Sequence, residues 1–235
     1  MSEPSSVTGE ALRVVAVVAA RNEARRVGAT VEALRSIEGV ATVIVADDGS
    51  TDATASEAAA AGARVLRSPR NFGKGAALAA AIDAAMGSAD VVLLADGDLE
   101  ASAAALTALL GPVLSGRADV AVAAPLRAVS GGFGLVRRSA SALIRRISGL
   151  EVRAPLSGQR AATAECLRAC RPLARGFGVD AAMVADAARL GFRVVELPVA
   201  FEHRSTGRDA AGFVHRARQG RDILGALALR AAGWR

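Results

Sequence analysis

Apolar runs that favour β-strands alternate with alanine-rich stretches that favour helices along the first half of the chain. Such alternation is typical of βαβ units, in which successive strands lie parallel and helices cover both faces of the sheet. The pattern predicts strands near 13–19, 41–46, 63–67, 90–95 and 119–124, and helices near 24–36, 52–61, 74–86 and 102–114. We therefore expect an α/β fold with a mostly parallel sheet flanked by helices.

The strict alternation ends after Pro125. From there the pattern predicts an amphipathic helix at 133–148, a short strand at 157–163, helices at 164–170 and 179–190, a strand at 193–201 and a last helix at 210–230. A length of 235 residues fits a single large domain of this class. We expect that domain to cover 12–235 and to follow a loose tail at 1–11.

Composition and charge narrow the possible partners. The formal net charge is +6, yet aromatic residues make up only 3% and no recognised nucleic-acid motif occurs, so no nucleic-acid partner is expected. The longest apolar run, Val14 to Ala20, is too short to cross a bilayer, and the N-terminus lacks a signal-peptide pattern. Cys166 and Cys170 are expected to be buried thiols of a cytoplasmic protein.

A first acidic motif follows the strand predicted at 41–46. Asp47 and Asp48 precede a glycine turn, and Ser50, Thr51 and Asp52 then favour the start of a helix. Ligands of open α/β sheets bind at the carboxyl ends of strands. Helix capping alone does not account for two adjacent acids at a strand end, so we expect these carboxylates to contact a ligand such as a base or a ribose.

A second acidic motif, Asp96-Gly97-Asp98, follows the strand predicted at 90–95. Carboxylates brought close together repel one another unless a cation neutralises them. Mg²⁺ or Mn²⁺ with oxygen ligands, bridging a diphosphate, is the usual solution. The motif therefore predicts a divalent-cation site.

Between the two acidic motifs lies Gly73-Lys74-Gly75. Its spacing is not that of a P-loop, so an NTPase is not indicated. Glycines that open a helix can still present backbone N–H groups to an anion. Lys74 is the only lysine among 29 basic residues, which suggests that a compact ammonium is needed at this point.

Taken in order, Ala19-Ala20-Arg21-Asn22-Glu23, the two acidic motifs and Gly73-Lys74-Gly75 resemble the family-2 glycosyltransferases of GT-A (Rossmann-like) fold. The resemblance covers roughly residues 13–205. It implies a nucleotide-binding half at 12–124 and an acceptor-binding half at 125–235. The residues it implies for nucleotide-sugar binding are Ala20, Asn22, Glu23, Asp47, Asp48, Lys74, Asp96 and Gly97, with the metal on Asp96 and Asp98 and a catalytic role for Asp98.

Two subfamilies compete for the second half. Arg137, Ser141 and Ser157-Gly158-Gln159-Arg160 resemble polyprenyl-phosphate hexosyltransferases of the dolichol-phosphate mannose synthase type, although an acidic residue expected near Ala154 is missing. The motifs around Gly158, Asp180 and His203 are similar instead to the retaining glucosyl-3-phosphoglycerate synthases. That resemblance implies that Asp180 meets the donor sugar as a catalytic residue and that His203 joins the metal shell.

The expected reaction is transfer of a hexose from a nucleoside diphosphate sugar, of the UDP-glucose or GDP-mannose type, to a phosphate-bearing acceptor. Arginine forks suit phosphate oxygens, and the acceptor candidates are Arg127, Arg137, Ser141, Arg160, Arg204 and Arg208. If the basic helix at 133–148 lies on a membrane, polyprenyl phosphate is the acceptor, which is slightly preferred. If that helix packs on the domain, a small acid such as phosphoglycerate is favoured.

Other possibilities stay open at this point. A nucleotidyltransferase also uses metal-bound acids on an α/β sheet, but it usually has a glycine-rich basic signature where this chain has Ala20-Arg21-Asn22-Glu23. A non-catalytic nucleotide-sugar-binding module would be favoured by loss of the metal acids, which are present. A homodimer and peripheral contact with the inner face of the cell membrane are further expectations.

Overall fold

Seven β-strands run through the part of the chain that the computed structural model describes, residues 12–126, 134–201 and 210–233. They are β1 (Val14–Ala20), β2 (Val40–Asp47), β3 (Arg64–Arg67), β4 (Val91–Asp96), β5 (Val120–Pro125), β6 (Arg160–Thr163) and β7 (Val194–Val199). Their order in one sheet is β3-β2-β1-β4-β6-β5-β7. Only β6 is antiparallel to its neighbours in this described sheet, which confirms the mostly parallel α/β fold.

Helices cover both faces of this sheet. They are α1 (Val27–Arg35), α2 (Thr54–Ala60), α3 (Lys74–Ala85), α4 (Leu110–Leu114), α5 (Gly134–Ser148), α6 (Ala164–Ala169), α7 (Val179–Arg189) and α8 (Ala210–Ala231). The helix predicted at 102–114 is instead a 3₁₀ helix, Glu100–Leu109, followed by α4. Pro112 lies in the first turn of α4, where its missing N–H costs no bond within that helix.

The core has two layers because successive side chains of a strand point to opposite faces of the sheet. On one face, strand residues such as Val17 and Leu94 pack with residues of the α3, α5, α7 and α8 helices, including Ile82, Ile144 and Val184. On the other face, strand residues pack with α1, α2 and the 3₁₀ helix, and the buried set there includes Val18, Val45, Leu93, Val31, Leu34, Ala58 and Leu106.

The basic helix α5 packs on the domain through its apolar face. Ala140 and Ile144 are fully buried, and Val136, Leu143 and Ile147 lie against the same core layer beside α7 and α8. The exposed side chains of the helix include Arg137, Arg138, Arg145 and Arg146. Among the described residues, no helix combines the length and apolar character needed to cross a membrane.

The two cysteines are buried free thiols, as the sequence predicts. Their Sγ atoms lie 4.0 Å apart within and just after α6. The hydrogen bond with Cys170, together with burial, raises the pKa of the Cys166 thiol above its ordinary value. Because the thiolate is the reactive form, we expect Cys166 to be chemically inert.

Replacement of Ile144 tests whether α5 is an integral part of the core. Ile144 is fully buried, so Ile144→Ala should lower the free energy of unfolding by about 2–5 kcal/mol through lost burial and the cavity left behind. Leu135, 76% exposed on the same helix, is the matched control, and Leu135→Ala should change stability by about 0.5 kcal/mol or less. Urea denaturation measures both variants. Equal and small effects would contradict the packing of α5 on the domain.

Candidate functional site

Three parallel strands bring their carboxyl ends to one edge of the sheet. Ala20, the last residue of β1, pairs with Asp47 at the end of β2. On the other side of β1, Ala19 pairs with Asp96 at the end of β4. Ligands of open α/β sheets bind outside this edge. The two acidic motifs therefore flank the same strand and face one crevice, although they are far apart in sequence.

Asp47 is fully buried beside an open cleft. One of its carboxylate oxygens accepts the backbone N–H of Ser50 at 2.9 Å, and the other lies 3.4 Å from Nε of Arg67. The cleft has a volume of about 420 Å³ and is lined by Gly49, Ser50, Thr51, Arg67, Ser68 and Pro69. That volume is within the range of small-molecule sites. The cleft is therefore large enough for part of a nucleoside.

Asp48 supports a loop in this structure. Its two carboxylate oxygens accept the backbone N–H groups of Phe72 at 2.7 Å and Gly73 at 2.9 Å. These two bonds fix the chain immediately before Lys74, the first residue of α3. Asp48 thus fixes the position of the segment that leads into Lys74. The sequence predicted only that Asp48 contacts the ligand, and that contact stays a prediction.

Asn22 and Glu23 tie the loop after β1 to the loop after β2. The backbone N–H of Asn22 donates to Oγ of Ser50 at 2.9 Å, and its side-chain Oδ1 accepts the N–H of Thr51 at 2.9 Å. The backbone N–H of Glu23 donates to Oγ1 of Thr54 at 2.8 Å. Both residues therefore lie at the crevice next to the cleft-lining segment, while their contact with a nucleotide stays a prediction.

The centre of the site is an ammonium between two carboxylates. Nζ of Lys74 lies 2.7 Å from Oδ1 of Asp96 and 2.9 Å from Oδ2 of Asp180. Asp180 belongs to the first turn of α7, so the cluster joins α3, β4 and α7. Burial favours the neutral amine, but the charges of Asp180 and Asp96 outweigh it and raise the pKa of Lys74 above its ordinary value. Lys74 is therefore a charged partner of both acids.

Arg160 lies beneath this cluster, which corrects its predicted acceptor-binding role. Its guanidinium donates to the backbone oxygens of Asp180, at 2.8 Å, and of Ser157, and it lies 3.4 Å from the Asp180 carboxylate. The side chain has no exposed surface, and burial lowers the pKa of the guanidinium. A side chain enclosed in this way holds Asp180 in place and cannot contact an acceptor.

Gln159 is a site residue that the sequence did not identify. The strand predicted from 157 begins only at Arg160, and Ser157 to Gln159 form a loop against the cluster. Nε2 of Gln159 donates to Oδ2 of Asp96 at 2.7 Å. A Cβ atom on Gly158 would lie 2.7 Å from both Nζ of Lys74 and Oδ2 of Asp96, so a larger residue here would displace these two side-chain ends. The Ser-Gly-Gln-Arg motif indicated that this segment belongs to the site, but it did not predict the contact between Gln159 and Asp96.

The donor atoms at the end of β4 suit a hard divalent cation. Asp96 and Asp98 supply carboxylate oxygens, which Mg²⁺ and Mn²⁺ prefer. Within the described ranges, no three His, Cys, Asp or Glu side chains converge on a common point. His203, the third expected ligand, lies outside those ranges. One or two carboxylates fit a cation that is shared with substrate phosphates, as Mg²⁺ commonly is.

The remaining acceptor candidates are less defined. Arg137 lies exposed on α5, where Nη1 donates to the backbone oxygen of Arg153 at 3.3 Å, and Ser141 lies one turn further along that helix. Their contact with an acceptor stays a prediction. The other acceptor candidates fall outside the described residues and are Arg127, Arg204 and Arg208.

The segment that contributes most residues of this site matches a known protein family. A model of glycosyl transferase family 2 matches residues 15–167, a range that contains Asp47, Lys74, Asp96 and Arg160. The chain belongs to glycosyl transferase family 2. The resemblance inferred from the sequence motifs is thereby confirmed, and a nucleotidyltransferase is no longer an alternative.

Two curated relatives illustrate the breadth of this family. Glycosyltransferase AglJ of Haloferax volcanii is 32% identical over 192 residues, which cover 80% of this chain and 62% of AglJ. Glucosyl-3-phosphoglycerate synthase of Mycolicibacterium smegmatis is 34% identical over 195 residues, covering 74% of this chain and 63% of that enzyme. The chain thus spans less than two thirds of the length of both relatives.

Solved structures support the same assignment. Glucosyl-3-phosphoglycerate synthase from Mycobacterium tuberculosis, in complex with Mg²⁺ and UDP, aligns with a TM-score of 0.80 and 29% identity over 95% of this chain and 80% of that chain. A second complex of that enzyme, with Mn²⁺, UDP-glucose and phosphoglyceric acid, gives a TM-score of 0.76 at 28% identity over 94% of this chain and 80% of that chain. The GT-A fold is confirmed, and the expected divalent cation agrees with these complexes.

Removal of the central ammonium should destabilise the free protein. Lys74→Met would leave Asp96 and Asp180 facing each other with no cation between them, so the free energy of unfolding should fall by about 3–5 kcal/mol. Urea denaturation in the presence of a chelator measures the loss. Arg145→Met, which breaks an exposed pair with Glu151, is the control and should cost less than about 1 kcal/mol. Equal losses for the two variants would contradict the central role of Lys74.

Proposed function

We propose that this protein transfers a hexose from a nucleoside diphosphate sugar to a phosphate-bearing acceptor with the help of a divalent cation. The observation that carries the proposal is the cluster of Lys74, Asp96 and Asp180 at the carboxyl ends of the strands, the same edge of the sheet at which the cleft after β2 and β3 lies. Family membership supports catalysis. The acids of the Asp96-Gly97-Asp98 motif are present, which argues against a non-catalytic binding module.

UDP-glucose is the donor that we propose, and a GDP-mannose type donor is the alternative. Structures of a relative hold UDP with Mg²⁺ and UDP-glucose with Mn²⁺, which supports a uridine donor here. We place the nucleoside in the cleft lined by Ser50 and Arg67, and the diphosphate near Lys74. A lysine ammonium and the backbone N–H groups at the start of α3 are both suited to phosphate oxygens.

Asp98 and Asp96 would hold the cation, and His203 stays a predicted third ligand. A bound Mg²⁺ or Mn²⁺ neutralises the charge that develops on a leaving diphosphate. Lys74 would add a second positive charge to the same group. Asp180, held by Arg160 and Lys74, would orient the donor sugar. Because a phosphate acceptor is already ionised near neutral pH, no strong general base is required.

For the acceptor, we propose a small phosphate-bearing acid of the phosphoglycerate type. The apolar face of α5 is occupied by the domain, with Ile144 fully buried, which is the arrangement that favours a small acid over a lipid. A relative binds phosphoglyceric acid together with UDP-glucose. Polyprenyl phosphate is the second candidate, because Leu135 is 76% exposed on the same helix as the arginines of α5. A homodimer stays a prediction.

Substitution of Asp98 tests the metal assignment. Asp98→Asn keeps the size of the side chain but removes its charge, so the increase in UDP affinity that Mn²⁺ produces should fall by about tenfold or more. Isothermal titration calorimetry with and without Mn²⁺ measures this difference. Asp90→Asn is the matched control. Asp90 directly precedes β4, whereas Asp98 follows the carboxyl end of that strand. Unchanged metal-dependent UDP affinity in Asp98→Asn would refute the assignment.

The acceptor is tested by product analysis with purified protein and Mn²⁺. Labelled UDP-glucose and GDP-mannose are each offered with phosphoglycerate or with polyprenyl phosphate in anionic liposomes. We expect glucosylated phosphoglycerate, and no sedimentation of the protein with the liposomes. Glycosylated polyprenyl phosphate together with liposome binding would favour the second candidate. Hydrolysis of nucleotide sugars with neither acceptor modified would count against both.

A further inference from the structure

Glu196 is an acidic residue on β7 to which no role has been assigned so far. Its two carboxylate oxygens accept consecutive backbone N–H groups, from Arg153 at 2.8 Å and from Ala154 at 2.7 Å. Hydrogen bonds to an ionised carboxylate are among the stronger ones in proteins. Glu196 therefore anchors the start of residues 153–159, a segment called the strap below.

The other end of the strap lies on the catalytic cluster. Gly158 is in close contact with Lys74 and Asp96, and Gln159 donates to Oδ2 of Asp96 at 2.7 Å. Between its ends the strap makes a turn, in which the N–H of Ser157 donates to the oxygen of Ala154 at 3.1 Å. The position of the Gln159 amide thus depends on a short segment that Glu196 holds at its beginning.

Strand register places Glu196 and Arg160, the residue that directly follows the strap, on one face of the sheet. Arg160, which directly follows the strap, pairs with Val122 of β5, and Val122 pairs with Glu196 of β7. Arg160 and Glu196 are therefore in one row, two strands apart, which is about 10 Å at the usual spacing. Since residues in one row project to the same face, the sheet itself fixes the distance that the strap must span.

We infer that Glu196 is a positioning residue for Asp96, and that it acts through the strap and the amide of Gln159. The inference rests on the proposed function, in which Asp96 faces the cation and the diphosphate. A hydrogen bond from a neighbouring side chain fixes the orientation of a metal-binding carboxylate, and loss of such partners typically lowers metal affinity about 10- to 100-fold. If Glu196 only stabilised the fold, its replacement would leave the orientation of Asp96 and Gln159, and with it the Mn²⁺ affinity, unchanged.

The test is a double-mutant cycle on Mn²⁺ affinity, measured with saturating UDP from the electron paramagnetic resonance signal of free Mn²⁺. Glu196→Gln keeps the size of the side chain but turns an amide N–H towards a backbone N–H of the strap. Gln159→Met keeps a similar volume and removes the donor to Asp96. Each substitution should weaken Mn²⁺ binding by about tenfold. The double variant should bind no more weakly than Gln159→Met, because both changes interrupt the same chain of contacts.

Asp119→Asn is the matched control. Asp119 precedes β5, and its carboxylate accepts the backbone N–H of Arg193, just before β7, at 2.7 Å. It therefore connects the beginnings of β5 and β7, away from the strap. We expect Asp119→Asn to leave Mn²⁺ affinity within about twofold of the original protein, as for a substitution remote from the metal. A loss equal to that of Glu196→Gln would indicate general loosening of the sheet and overturn the inference.

The remaining outcomes separate the inference from the proposed function. Losses that multiply to about 100-fold in the double variant would mean that the two residues act independently, which overturns the role of Glu196. Unchanged Mn²⁺ affinity in Glu196→Gln would overturn it as well, while the metal site would stand. Absence of Mn²⁺ binding to the unsubstituted protein with UDP would overturn the proposed metal site itself, and the inference with it. Thermal melting confirms that each variant is folded before it is titrated.

Discussion

The contact on which the site depends is the ammonium of Lys74 between the carboxylates of Asp96 and Asp180. Lys74 and Asp96 belong to the first half of the chain and Asp180 to the second, so this cluster joins the halves at the crevice. Each acid also has a partner from the segment around β6, Gln159 for Asp96 and Arg160 for Asp180. Because unpaired buried charges are costly, each of these side chains restricts where the others can lie.

The backbone around the cluster is shaped to permit this contact. A Cβ atom on Gly75 would lie 2.1 Å from the backbone oxygen of Ala174, so only glycine lets the start of α3 approach the segment that leads into α7. On its far side, α7 is fixed to α8 by a buried ion pair, in which Nε of Arg230 lies 3.1 Å from Oδ2 of Asp186. The Gly-Lys-Gly motif thus serves packing as well as any contact with phosphate.

The two neighbouring acids at the end of β2 make different contacts and therefore have different roles. Asp47 is buried beside the cleft, whereas both oxygens of Asp48 hold the loop before Lys74. The acidic pair at the end of β2 therefore contains one residue that supports the cleft-lining residues Ser50 and Arg67 and one that positions the cation of the cluster. Sequence alone could not assign these roles, because the two acids are adjacent and chemically identical.

The sequence determined the elements of this fold and the edge at which the site lies. Hydrophobic periodicity is a local property, so the strands, most helices and the acids at the ends of β2 and β4 could be predicted, and parallel strands necessarily bring such ends together. Only the tertiary structure decided that Lys74 meets Asp180, that Gln159 reaches Asp96 and that Glu196 anchors the strap. These contacts depend on the insertion of antiparallel β6 between β4 and β5 and on the pairing of β7 with β5, and strand order is set by packing between distant segments that no local pattern records.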